Sequence, residues 1–181
     1  MRRSILAIVA ITAAMTCGHA VACSYSEPPT FRESLAGASS VFIFRLDNAQ
    51  YRKESHGGRA YSAWVEGDIA LVQNLYGNPT EYKTIKFSTY WCGGVNLVVG
   101  HHYLIATDAA GDTIQLVDAD GSIFDVEGFY NPTQKKRNLR SHLILPVIQA
   151  IYGVKPLPEG FPDSFIAGRT VLQPPPPPPG S

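Results

Sequence analysis

The sequence predicts a mainly β domain, a small antiparallel barrel or sandwich of about five strands with one or two short flanking helices. Three observations carry that expectation. Segments rich in β-branched and aromatic residues recur between turn signals from residue 40 to residue 119. Helical periodicity is confined to one short stretch before them and one after. The chain is also long enough for one domain with a real core.

Residues 1–22 read as a signal peptide and stand apart from the fold. Arg2 and Arg3 make a short positive start, and residues 5–15 form an apolar run too short to span a bilayer. Ala20, Val21 and Ala22 supply the small-x-small pattern of a signal peptidase site. The short start suits general secretion better than a twin-arginine signal. Of the 181 residues, removal of 22 leaves 159, beginning at Cys23. Cleavage takes two of 15 basic side chains and none of 15 acidic ones, so the mature net charge is about −2. That balance gives no basic footprint for nucleic acid. No later segment approaches membrane-spanning length, so an exported protein without a transmembrane segment is expected, in the periplasm or outside the cell.

The elements follow in order. Pro28 and Pro29 precede Thr30, a candidate N-cap with Glu33 three residues on as in a capping box. Phe31, Leu35 and Ala38 then recur at helical spacing, so a short helix ends near Gly37. Residues 40–50 form a first strand, and residues 51–60, polar and glycine-bearing, read as a turn or loop. Residues 60–76 form a long strand in which Gly67 marks a bulge or bend, closed by the turn signal Tyr-Gly-Asn-Pro. Residues 83–91, 101–109 and 112–119 are further strands. Leu143, Ile144, Val147, Ile148 and Ile151 lie on one helical stripe that Pro146 kinks or begins, with Gly153 as its C′ residue. The expected domain spans residues 23–155. Residues 156–181 form a proline-rich, disordered tail whose six consecutive prolines make an extended, solvated rod.

Of three cysteines, Cys17 falls in the signal, leaving Cys23 and Cys92. An even count in an oxidising compartment is usually paired. Such a bond would close a loop of about 70 residues, worth roughly 4 kcal/mol in chain entropy. Two other readings of Cys23 stay open: a lipid anchor, and a group that acts as the first residue of the mature chain. The lipid reading is weakened by Ala20, where a longer aliphatic residue is usual.

Little else in the sequence suggests a reactive site. His101 and His102 adjoin in a strand, so they should face opposite sides and cannot chelate one metal together. They are expected as surface or turn histidines. Asp118 and Asp120 open a calcium-like loop that lacks its later acids and reads as a turn. A thiol enzyme built on Cys92 and a histidine would need a reduced cysteine, which a Cys23 partner opposes. No catalytic residues and no cofactor are expected, and the chain reads as a non-enzyme.

The residues also carry a resemblance. A mature N-terminal cysteine is followed by a short helix leading into ASSVFIFRLDNAQ, a long strand ending VQNLYG, and YWCGGVNLVVGHHYLIATDAAG. Together these resemble the tissue-inhibitor-of-metalloproteinases and netrin module family, its bacterial members above all. Cys92-Gly93 followed by Gly100, Tyr103 and Leu104 is the most specific part. The match covers roughly residues 23–128. The resemblance implies a five-stranded OB-like barrel, closed or partly open, and pairing of Cys23 with Cys92.

In inhibitory members of that family the N-terminal cysteine enters a protease active site, where its α-amine and carbonyl chelate the catalytic zinc. Catalytic zinc keeps an open position, and an α-amine titrates near roughly 8, so part of it is neutral at neutral pH. By position Cys23 would be the zinc chelator in trans and Ser24 would face the specificity pocket. Tyr25, Ser26, Tyr90, Trp91 and Gly93 would line the rest of a target-binding ridge. The implied partner is a zinc metalloprotease or another envelope or extracellular protein. Two departures stand out. Tyr25 occupies the place of the family's second cysteine, and Pro28-Pro29 sits one residue late. A non-inhibitory barrel binding an envelope protein, a glycan or another ligand is the competing reading.

The intact mass of the exported protein checks the whole reading of Cys23. The expected mass is that of residues 23–181 less two hydrogens, with no added lipid.

Overall fold

The computed structural model describes residues 29–55, 57, 61–89, 94–116, 121–128, 130–134, 141–159 and 161. Residues 1–22, read above as a signal peptide, Cys23 and the polyproline run lie outside them.

Thr30 caps helix α1 (Phe31–Gly37) as its sequence requires. Its hydroxyl accepts from the Glu33 N–H at 3.2 Å, and the Glu33 carboxylate accepts from the Thr30 N–H at 2.7 Å. Phe31, the buried residue of this helix, packs edge-on against Phe124 with ring centroids 4.3 Å apart.

Strand β1 (Ser40–Leu46) is buried along nearly its whole length. Phe42, Phe44 and Leu46 face one core, while Val41 and Ile43 face another. It pairs with β3 (Tyr61–Tyr76) on one side and β5 (His102–Thr107) on the other, both antiparallel. With 16 residues, β3 outruns β1. Its first part carries β2 (Gln50–Ser55) on one edge and β4 (Thr84–Phe87) on the other. β6 (Thr113–Gln115) runs parallel to β4, and β7 (Ile123–Asp125) adds antiparallel to β5. The order is β6-β4-β3-β1-β5-β7, with β2 beside β3. The protein is mainly β, and its sheet curls into a half-barrel.

Three expectations about the strands need revision. Residues 51–55, read as loop, belong to β2. That strand is exposed throughout, so no apolar alternation announces it, and it exists because β3 offers it a ladder. β7 was not foreseen, being three residues long. The bulges of β3 lie at Val72 and Leu75, where the register with β1 slips. Gly67 instead marks where the β1–β2 connection crosses β3. A Cβ there would lie 2.6 Å from both the Asn48 carbonyl oxygen and Leu46 Cδ1.

The inner core fills the curl with Phe42, Phe44, Tyr82, Ile85, Tyr103, Ile105 and Ile114 among others. Phe42 stacks on Tyr82 at 5.4 Å and Phe44 on Tyr103 at 5.6 Å. The outer core lies between β1, β5 and β7 on one side and the helices on the other, and contains Phe31, Phe124, Ile144 and Val147. Helix α2 (Ile144–Ile151) starts two residues before Pro146, which therefore sits in the first turn where its missing N–H is harmless. Gly153 ends it at φ 67° in a Schellman arrangement: Val154 N–H reaches Gln149 O at 2.8 Å and Gly153 N–H reaches Ala150 O at 3.1 Å. Beyond it Leu157 is buried in the outer core, and Arg32 donates to the Leu157 and Pro158 carbonyls. No helix of the described residues is long and apolar enough to cross a membrane.

Gly121 is a contact point between this sheet and the start of the chain. A Cβ on it would stand 2.0 Å from the Pro29 carbonyl oxygen. Gly121→Ala must therefore push the Pro29 segment away. The expected loss is about 1–3 kcal/mol, the usual cost of overpacking, measured by urea unfolding.

Candidate functional site

Cys23, Ser24, Tyr25, Ser26, Tyr90, Trp91, Cys92 and Gly93, the expected disulfide and ridge, all lie outside the described residues. So do Asp118 and Asp120. The structure does describe where the two ridge segments leave the sheet. The Val95 N–H donates to the Ser88 carbonyl at 2.7 Å, closing the base of the segment that contains Cys92. Val95 itself is fully buried in the inner core. On its other flank the Tyr103 hydroxyl accepts from the Val98 N–H at 2.6 Å. Burial pushes the Tyr103 hydroxyl up to about 12, against the Val98 hydrogen bond and helped by the charges of Asp125 and Glu127. It stays a neutral tether.

The chain before α1 leaves from Pro29, held against Gly121. Pro29, Gln115, Leu116 and Ser122 line one hollow; Ser88, Gln115 and Leu116 line another. Both departure points thus border the same end of β6. Cys23 is six residues from Pro29 and Cys92 three from Val95, reaches of up to about 20 Å and 10 Å for an extended chain.

The histidines differ from expectation in one respect. They do face opposite sides of the strand start, but they are not simple surface residues. His102 is buried and packs at 5.2 Å from the Tyr130 ring. Its Nδ1 lies 2.8 Å from Glu127 Oε2, and its backbone N–H donates to the same oxygen at 3.0 Å. His101 Nδ1 lies 2.9 Å from Oδ2 of Asp125, a carboxylate only 5% exposed. An ionised carboxylate can only accept, so each Nδ1 carries the proton. Asp125 Oδ1 also accepts from the Glu127 N–H at 2.8 Å. The two pairs fasten the β7 turn to the start of β5 from both faces. The nearest carboxylate in the sequence, Asp108, is not a partner of either histidine, and Asp125 and Glu127 lie more than 20 residues on, so the pairing has no local signature. Among the described residues no group of three His, Cys, Asp or Glu is arranged to hold a metal.

A second region was not anticipated. Among the described residues no helix covers the outer face of β2, β3, β4 and β6. Gln50, Arg52, Glu54, Ser62, Trp64, Glu66, Thr84, Lys86, Thr113 and Gln115 face outward there, as the alternation with buried Val65, Ile85 and Ile114 requires. Arg52 pairs with Glu66 at 3.3 Å, and Lys86 Nζ stands 5.9 Å from the Trp64 ring centroid. The Trp64 indole N–H is shielded from solvent and has no hydrogen-bond partner among the described residues. A buried donor left so costs about 1–3 kcal/mol.

No family model matches the chain, and no curated protein matches it.

The Glu127 pair has a pH consequence. Partial burial alone pushes the Glu127 carboxyl up. The side-chain and backbone hydrogen bonds from His102, with the positive charge of both histidines, outweigh it and hold the group below its usual range. A carboxyl lowered in the folded state stabilises above its unfolded pKa, and that contribution disappears as pH falls through the folded value. Glu127→Gln should therefore be less stable than the parent near pH 6. The gap should close in urea unfolding as pH falls below roughly 4.

Proposed function

We propose that the chain is an exported binding module of the netrin and metalloproteinase-inhibitor type, cleaved before Cys23 and carrying a Cys23–Cys92 disulfide. Its five-stranded OB-like barrel would be β1, β3, β4, β5 and β6, with β2 and β7 as additions. Support for that barrel comes from the antiparallel series β4-β3-β1-β5 and from β6 lying parallel to β4. The curl remains open because β6 has no partner on its outer edge among the described strands.

The observation that carries the functional reading is that Pro29 and Ser88, the described residues flanking the two cysteine-bearing segments, both border the Gln115–Leu116 end of β6. A ridge there would have its N-terminal half backed by Pro29 on Gly121 and its other half clamped at Ser88–Val95. Both supports reduce the ordering cost of presenting a free α-amine to a target. Inhibition is the specific form of this reading: the Cys23 amine and carbonyl would take the open position on a zinc endopeptidase. Tyr25, in place of a second cysteine, favours the competing form, in which the same module binds an envelope ligand without inhibiting a protease.

Adding one alanine before Cys23 tests the inhibitory form. The mature protein is expected to inhibit at least one zinc endopeptidase of a broad panel, and the extended protein none. Absence of inhibition by both across the panel leaves the binding module without its inhibitory role.

A further inference from the structure

We infer that the bare outer face of β2–β3–β4–β6 is a subsite for a neutral saccharide, with Trp64 as its platform. A hollow of about 580 Å³ opens there, lined by Glu54, Ser62, Trp64, Lys86, Ser88 and Gln115 above the buried Phe87 and Leu116. Its chemistry selects among ligands. Arg52 and Lys86 stand against Glu54, Glu66 and Asp68 on the same face, so it offers no attraction to a polyanion and only one excess acid to a polycation. Among the described residues of this face the one large apolar surface offered outward is the indole, too little for an amphipathic helix or an apolar peptide. What remains is one aromatic plane ringed by a carboxylate, hydroxyls, an amide and an ammonium. A sugar ring meets that set: its C–H face lies on an aromatic plane while its hydroxyls both donate and accept.

Spacing agrees. Neighbouring strands bring side chains about 5 Å apart across the sheet, the scale of a single sugar ring. Gln115 on β6, Lys86 on β4 and Trp64 on β3 are carried by three successive strands. The Trp64 N–H provides the second, independent observation. It is a donor without an acceptor among the described residues, beside an ammonium 5.9 Å from its ring. A ligand hydroxyl oxygen would supply one once the groups that shield the N–H from solvent move aside, with Lys86 shifting to donate to the same ligand. This subsite does not require Cys23, although Ser88 and Gln115 also border the proposed ridge.

The test is titration of the ¹⁵N-labelled mature protein with triacetylchitotriose, cellotriose and maltotriose, with a heparin tetrasaccharide as the anionic comparison. Saturable shifts of the Trp64 indole and of amides in residues 62–66, 84–88 and 115 are expected with at least one neutral trisaccharide. Trp64→Ala should weaken that binding by about tenfold or more, while Trp64→Phe keeps most of it. Gln115→Ala and Glu54→Ala, both exposed and outside the cores, should weaken it with an otherwise unchanged spectrum. The protein extended by an alanine before Cys23 should bind as the parent does, so failure here and failure of inhibition are separate results. No saturable shift with any of the three sugars, shifts confined to another surface, or tighter binding of the heparin fragment would each overturn the proposal.

Discussion

Burial of β1 on both faces is the constraint from which the rest of the architecture follows. A strand with Phe42, Phe44 and Leu46 on one side and Val41 and Ile43 on the other needs two apolar layers. The sheet supplies the first by curling on itself, so that Tyr82, Tyr103 and Ile114 meet the inner side chains. The second is supplied by α1, α2 and the stretch around Leu157. β5 and β7 share this double coverage, with Leu104 and Phe124 facing out and Ile105 and Ile123 facing in. Fully burying one such side chain is worth about 1.5–3 kcal/mol, so this central strip holds a large part of the apolar stabilisation.

Where the helices stop, the outer face changes character. β2, β4, β6 and the first part of β3 present polar residues outward, and Trp64 is the exception among them. The long β3 connects the two regimes: its second part lies against β1 and its first part carries the bare face. Bulges at Val72 and Leu75 bend it within the β1 pairing, and Gly67 lets the β1–β2 connection pass close by. One end of β6 is then common ground for the bare face, the Ser88 clamp and the Pro29 contact.

The His101–Asp125 and His102–Glu127 pairs belong to the same economy of supports. β7 is three residues long and cannot hold its turn by ladder bonds alone. Two charged or polar fastenings, one on each face of β5, make up the difference. Gly121 and Ser122 lie at the other end of β7 and meet Pro29 and Ala106. The turn that the histidines hold is therefore continuous with the turn against which the N-terminal segment rests.

Local rules are enough to read α1, β1, β3, β4, β5, β6 and α2 from the chain. The capping box at Thr30 and Glu33, the Gly153 terminus, the apolar stripe of α2 and the β-branched runs act over a few residues, and each was met in the structure. Non-local partners are a different matter. β2 has no apolar face and exists because β3 extends far enough to pair with it. His102 is buried because Glu127 and Tyr130, more than 20 residues away, fold back onto it. Trp64 reads as one aromatic residue in a strand; alternation with buried Val65 turns it outward, and the pairings with β2, β4 and β6 set it among Lys86, Gln115 and Glu54. For Cys23 the chain supplies its position directly after Ala20-Val21-Ala22 and the presence of Cys92 further on. That Pro29 and Ser88 border the same end of β6 depends on pairings between residues far apart in sequence, which no local pattern encodes.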